Sequence, residues 1–550
     1  MKKEEKIGSD VLVGSRRDFL KGAALIGVST LGAGLLTACN DDAAAVSGNE
    51  ELAPGGVESW DYEADVVVVG YGGAGAATAI TAHDAGAKVI ILEKMPEGGG
   101  NTAVSGGGFL CPNDAGQAYT YITKLFDFSN SVMDGEIVKV FSDESVKNVE
   151  WLQSLKEGTE VRIYGHAGYG KVEGADSQDK YQVVVSSGTA AAGLFGVYTY
   201  AVEEDRGIEV LTETSATALV VDSSGAVIGV KASNNGQDVT VKAKRAVVLT
   251  TGGYEYDDEM KRNYIKGTPV FALGNPGNTG DGVRLAQKVG ADLWHMNGCS
   301  CPIGIKVDDL DYGFQMMPSM PGYIWVDSTA KRFVDEADVE THAGLLALDW
   351  YNTKALGYPR IPAFMIFDEA GRTAGPISGA FSFGFAGKEY AWSSDNSAEI
   401  EKGWIIAADT VEDLAGKLGI DPATFAETVA KWNADIKAGE DTLFERAVTA
   451  EASTAYLSQT ATVKSAPIET APYYAVKLYP TLLNTQGGPR RNARAQILDA
   501  FGAPIPRLYS SGELGCMWGL IYQGAGNNSE AMVFGRIAGT NAAAETPWDA

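Results

Sequence analysis

Asp65-Val66-Val67-Val68-Val69 runs into Gly70-Tyr71-Gly72-Gly73-Ala74-Gly75 and an Ala-rich stretch, after which Lys88-Val89-Ile90-Ile91-Leu92 stops at Glu93. The two apolar runs read as buried parallel strands, and the glycines let the backbone turn sharply and approach a pyrophosphate at a helix N-terminus. Glu93 lies 23 positions after Gly70, where an acid reaches ribose hydroxyls. A glycine-rich turn alone says little. Flanked by a strand, a helix and a closing acid, it predicts a dinucleotide site.

The pattern resumes some 400 residues later. Pro504-Ile505-Pro506-Arg507-Leu508-Tyr509-Ser510-Ser511-Gly512-Glu513 is again a strand ending in a Gly-acid corner, and Gly524-Ala525-Gly526-Asn527-Asn528 leads into a helix predicted over Ser529 to Ala538. Between them Ala246-Val247-Val248-Leu249-Thr250-Thr251-Gly252-Gly253 is a further strand ending in glycines. One dinucleotide fold assembled from both ends of the chain implies a domain inserted in the middle. With Gly98-Gly99-Gly100-Asn101-Thr102 and Ser105-Gly106-Gly107-Gly108, this arrangement resembles the fumarate reductase/succinate dehydrogenase flavoprotein family from about Tyr62 to Ala543. The fold class expected is α/β: a Rossmann-like FAD-binding domain over 60–295 and 485–550, with an α+β substrate cap inserted at 296–484.

The resemblance implies how FAD is held. Gly70, Gly72, Gly75 and Glu93 would take the ADP half, Thr102, Ser105 and Gly107 the isoalloxazine side, and Glu513 the ribityl side. Gly73, Ala74, Lys94, Gly100, Asn101, Gly106, Gly252, Asp281, Gly512 and Asn528 complete the expected cofactor set. Asn101 stands where some relatives carry a flavinylated histidine, so FAD is expected to be non-covalent.

The first residues read as an address. Ser15-Arg16-Arg17-Asp18-Phe19-Leu20-Lys21 is a twin-arginine export motif, and the apolar stretch from Gly22 to Leu36 is shorter than the ~20 residues that span a bilayer. Leu36-Thr37-Ala38-Cys39 resembles a lipobox. A signal peptide over 1–38, lipidation at Cys39 and a flexible tether over 39–59 follow, so the protein is expected outside the cytoplasm, membrane-attached through a lipid alone; ordinary signal cleavage with Cys39 incidental is the alternative.

A formal net charge of −27 excludes nucleic acid as a partner. Beyond Cys39 the cysteines are Cys111, Cys299, Cys301 and Cys516, with no CxxC pair and no haem-attachment motif. A four-thiolate iron–sulfur cluster is chemically allowed, but the spacing matches no ferredoxin pattern, so buried free thiols and no metal are expected. Only four histidines occur: His83, His166, His295 and His342. Gly-x-Ser-x-Gly and HExxH are both missing, which leaves hydrolase chemistry without a nucleophile or a metal.

Fumarate reductases clamp a dicarboxylate with His and Arg, and an Arg donates the proton. At the positions that match, this chain has Glu340 for the donor, Asn484 and Tyr522 for two clamps, Cys301 for the cap-strand His, and Gln315-Met316 for the Thr-Glu pair. All those cations are gone, which argues against fumarate or succinate. Tyr522-Gln523-Gly524-Ala525-Gly526, running on to Ala531-Met532-Val533-Phe534-Gly535, instead looks like 3-ketosteroid dehydrogenases, in which the Tyr hydroxyl and the later Gly N–H polarise a ketone oxygen. Tyr522 and Gly526 inherit that role, although the loop is one residue shorter here; packing against the flavin edge is the plainer role for Tyr522.

For the proton, Glu340, His342 and Tyr323 are the candidates, Glu340 first, with a surface Glu on a cap loop as the plain alternative. Met316, Met317, Met320, Tyr323 and Trp325 either wall an adaptable apolar pocket or form the core of the cap. The residues therefore point to an exported FAD enzyme that reduces an activated C=C bond in a small apolar or weakly charged molecule: an enone, enoate, unsaturated lactone or steroid-like compound. It is similar to secreted flavin reductases of anaerobes, with electrons from a separate membrane cytochrome or quinol-linked donor. The rival expectations are a ketosteroid-type dehydrogenase running the reverse reaction and a non-catalytic flavin- or solute-binding lipoprotein.

Overall fold

The computed structural model describes residues 56–57, 59–316, 318, 320–377, 383–384, 388–448 and 465–549. The twin-arginine motif, Cys39, nearly all of the tether and Met317 lie outside them. Of the two units into which contacts divide the chain, 1–51 lies wholly outside the described residues, and the account below concerns 52–550.

Strand β1 (Tyr62–Val69) is followed by helix α1 (Gly73–Asp84) and strand β2 (Val89–Leu92). Val66, Val67, Val68 and all of β2 are buried, the burial expected of a parallel strand covered on both faces. β3 (Gln237–Leu249) pairs parallel with β1 on its other side, with Val67 opposite Val247. β4 (Pro504–Ser510) pairs parallel with β3, with Tyr509 opposite Val248. The last strand of the chain thus lies two places from the first. The full eight-stranded sheet runs Gln496–Leu498, β4, β3, β1, β2, Glu209–Leu211, with Thr214–Val221 and Val227–Asn234 folding back beside β3.

The helix predicted over Ser529 to Ala538 is longer: α2 covers Gly526–Ala544. It starts earlier because Ala525, at φ 74°, makes the turn itself, and it continues through Ala542 to Ala544, good helix formers. α2 packs closely on α1, and small residues allow it: a Cβ on Gly535 would lie 2.6 Å from that of Ala77.

A second, seven-stranded sheet is largely antiparallel, ordered Phe314–Gln315, Ile303–Ile305, Tyr473–Leu482, Ala363–Asp368, Ile324–Val326, with Phe271–Ala272 and Ile406–Ala408 also joined to Tyr473–Leu482. Its core holds Met316, Met320, Tyr323 and Trp325, so of the two readings the structure selects core for these four. Behind Ile324–Val326, Arg332 donates to Glu336 and Asp441 with both acids fully buried. A three-stranded sheet, Phe109–Leu110, Lys180–Val183, Val161–Gly165, directly follows the Gly106–Gly108 loop. Among the described residues no helix is long and apolar enough to cross a membrane.

Candidate active site

A cavity of about 480 Å³ opens where the C-terminal ends of β1, β2, β3 and β4 meet the small sheet and the loops at Glu340–His342 and Leu483–Asn484. One end is built for an anion. Gly72 precedes α1 with no cap from its own side chain and the first turn holds no acid; Gly73 N–H donates to Thr102 Oγ1 at 3.2 Å, and Gly70, Gly72, Gly73 and Ala74 line the cavity. Gly75 does not line it; a Cβ there would stand 2.0 Å from Gly70 O, so its part is to let α1 close on the turn. Glu93 accepts from Tyr71 N at 2.8 Å and Met95 N at 2.7 Å, and burial raises its pKa against those bonds. Lys94 and Asp281 pair at 2.6 Å across the same wall.

Further in, Asn101 Nδ2 bridges two acids, 2.7 Å from Glu255 Oε1 and 2.8 Å from Glu513 Oε2. Glu513 also accepts from Thr485 N at 2.9 Å and Glu255 from Asn278 Nδ2 at 2.9 Å. Burial raises both pKa values, and the Glu255 charge pushes Glu513 well above the carboxylate range. Glu255 is absent from the sequence reading: nothing in its spacing marked it, since it comes to Glu513 through the turn after β3. Gly100, Thr102, Ser105, Gly106, Gly252, Gly512 and Asn528 all line the cavity. Gly107 does not; at φ 70° it packs on Ala190, where a Cβ would lie 2.4 Å from the carbonyl carbon.

These residues fit FAD. The helix N-terminus suits a pyrophosphate, Glu93 sits at the ribose position, and Asn484 Oδ1 and Asn527 Nδ2 are buried in the lining without protein partners.

At the far end Tyr522 is 6% exposed, its ring between Trp518 and His342 with centroids at 5.8 and 5.3 Å. Its oxygen accepts the Asn527 N–H at 3.1 Å, which leaves the phenolic hydrogen to a ligand, and burial lifts its pKa well beyond the usual phenol range. The second carbonyl donor expected beside it is not available. Gly526 N–H donates to Gln523 O at 2.9 Å, and Gly526 is outside the lining because Trp518 packs where its side chain would be.

Glu340 and His342 do line the cavity. Glu340 Oε2 accepts from His342 N at 2.7 Å, and Oε1 lies 2.8 Å from His342 Nδ1. Tyr323 does not: it is fully buried in the core of the second sheet with Arg446 over its ring. Gln315 and Asn484 face the cavity, whereas Cys301 is buried beside Cys299 and does not line it. Among the described residues the lining holds no arginine; its lysines are Lys94 and Lys180. Lys180, Tyr164 and Gln182 come from the small sheet and were missed, because a short amphipathic strand with one lysine carries no chemical signature.

The four described cysteines are free and buried: Cys111 donates to Val146 O, Cys516 to Gln486 Oε1, and burial raises the Cys516 thiol to about 12. Among the described residues no group of His, Cys, Asp and Glu is arranged to hold a metal.

The chain matches the FAD binding domain family over residues 65–529. Urocanate reductase of Eggerthella lenta is 29% identical over 571 residues, 98% of this chain and 84% of that protein. Digoxin reductase of the same organism is 28% identical, covering 97% and 98%. A solved 3-ketosteroid Δ1-dehydrogenase from Sterolibacterium denitrificans superposes at a TM-score of 0.75 and 22% identity, covering 88% of this chain and 99% of that one, which establishes the shared fold. Strand order, site and match agree: the chain is an FAD-dependent oxidoreductase of the fumarate reductase/succinate dehydrogenase flavoprotein family.

Proposed function

We propose that this protein reduces an activated C=C bond in an enone, enoate, unsaturated lactone or steroid-like acceptor, as an exported terminal reductase fed by a separate membrane cytochrome or quinol-linked donor. Bound FAD would supply the hydride, held by the α1 N-terminus, Glu93 and the Asn101–Glu513 wall. The protein's own contribution is electrostatic. Addition of hydride to a carbon conjugated with a carbonyl builds charge on the oxygen, and the Tyr522 hydroxyl, oriented by Asn527 N–H, is positioned to donate to it. His342 and Trp518 hold that ring edge-on and keep water off it.

The observation that carries this reading is a phenol facing a cavity whose described lining has no arginine. Two arginines and histidines would suit a dicarboxylate; a neutral donor suits a carbonyl. The two E. lenta relatives are named as reductases, which supports this direction of transfer. Export rests on Arg16-Arg17 and Cys39 alone.

The test is anaerobic. The purified FAD protein is reduced chemically, and reoxidation of the flavin band is followed with fumarate, an aryl enoate, an unsaturated lactone and a 3-keto-4-ene steroid. Fast reoxidation by an uncharged enone or lactone, with none by fumarate, supports the reading. Preference for fumarate defeats it.

A further inference from the structure

The far end of the cavity contains a cation to which the proposed reaction assigns no task. Lys180 begins its strand, its backbone paired with Leu110 just beyond the Gly106–Gly108 loop. The side chain is only 7% exposed, and what is exposed faces the cavity. Tyr164 covers it from the neighbouring strand, ring centroid 5.7 Å from Nζ, and the Tyr164 hydroxyl itself rests on Gly108. Glu340 is the carboxylate near enough to act on it, but both Glu340 oxygens are engaged by His342. Among the described residues the ammonium has no hydrogen bond or salt bridge.

A buried ammonium without a paired acid is costly, and a cation–π contact returns only about 0.5–2 kcal/mol. Desolvation accordingly lowers the Lys180 pKa to about 8, with Glu340 opposing the fall. The group is still charged at neutral pH, yet releases its proton about a hundredfold or more readily than an ordinary lysine. The other candidates are worse placed. Tyr323 is in another core, Glu340 and His342 are engaged with each other, and Tyr522 is assigned to the carbonyl oxygen.

We propose that Lys180 is the proton donor of this site. With hydride supplied to one carbon of the C=C bond by bound reduced FAD, a Lys180 Nζ–H bond would break as a C–H bond forms at the neighbouring carbon. The alkene would gain the two electrons that FAD gives up, and the neutral amine would regain a proton from solvent. This assignment rests on the C=C reductase reading above. It differs from a cation that merely holds the substrate, whose removal would act on KM.

The test compares Lys180→Met and Lys180→Arg with the unchanged protein, each loaded with FAD. Wild-type reoxidation by an uncharged enone should fall as pH rises through about 8; Lys180→Met should be slower by about 10²–10⁴-fold, and neither variant should keep that limb. Oxidised FAD content and the KM for the enone should change little. Independently of turnover, reactivity of Lys180 toward a small acylating reagent, read by peptide mass spectrometry, should rise through pH 8 and through a lower pH in Glu340→Gln. A Lys180→Met variant with near wild-type rate, a Lys180→Arg variant that keeps the limb near pH 8, or a loss confined to KM, overturns the proton-donor role while leaving the reductase reading intact. If no alkene reoxidises the wild-type flavin, the reading itself falls and takes the assignment with it.

Discussion

Glu255 and Glu513 are held together by a single amide: Asn101 Nδ2 donates to both, at 2.7 and 2.8 Å, in the wall that the resemblance assigns to FAD. Two carboxylates at such range do not both ionise readily, and burial raises the pKa of each. An acid whose folded pKa is raised contributes stability that is fully present below the ordinary 4.5 and is lost as pH rises toward the folded value. Thermal stability should therefore decline with pH above about 4.5. Glu255→Gln should flatten that decline, because the remaining acid ionises without a neighbour; an unchanged Tm-versus-pH slope would show that the pair does not share a proton.

Asn101→Leu removes the bridge and leaves two buried acids facing an apolar side chain. Loss of one hydrogen-bonded partner from such a pair costs about 1–3 kcal/mol. FAD should dissociate more readily on dilution, and Tm should drop; retention of full FAD after gel filtration would contradict the placement of this wall against the cofactor.

Tyr522→Phe keeps the ring between Trp518 and His342 and removes only the hydroxyl. Reoxidation of reduced enzyme by an enone should slow by about 10²–10³-fold, the usual cost of one oxyanion donor, with FAD content unaltered. A rate within a few-fold of wild type would return Tyr522 to a packing role.

Gly75→Ala would place a Cβ 2.0 Å from Gly70 O and about 3 Å from Thr250 Oγ1, both fixed parts of the sheet edge. The clash should cost about 1–3 kcal/mol and displace the phosphate turn, read as lower Tm together with weakened FAD binding. Gly86→Ala, at a position with open space around it, serves as the comparison for backbone strain alone, since its φ is 86°.

Arg332 lies just beyond the strand Ile324–Val326, and its guanidinium, 1% exposed, is spent on Glu336 and Asp441 behind the second sheet. Arg332→Met removes the guanidinium that bridges two buried acids, leaving Glu336 to Arg446 and Asp441 to backbone N–H groups, and should destabilise the protein by about 3 kcal/mol, measured by denaturant unfolding. The pH dependence of reoxidation should not change, because no atom of Arg332 lines the cavity.

Strand-forming valines, glycines at fixed offsets and a terminal acid have local causes, so the dinucleotide fold and most of its cofactor wall were determined by sequence alone: Gly70, Gly72, Glu93, Asn101, Thr102 and Glu513 all line the cavity. Tyr522, Glu340 and His342 were reachable too, since each stands a short, fixed distance from a motif. Tertiary structure decided the rest. The donor direction of Gly526 depends on how its loop closes against Trp518, and Tyr323 is core or cavity according to which side of its strand the second sheet covers. Glu255 and Lys180 belong to segments with no motif of their own. They become chemical groups because a turn after one strand and a strand of another sheet deliver them to a desolvated cavity, and desolvation is a property of the assembled fold.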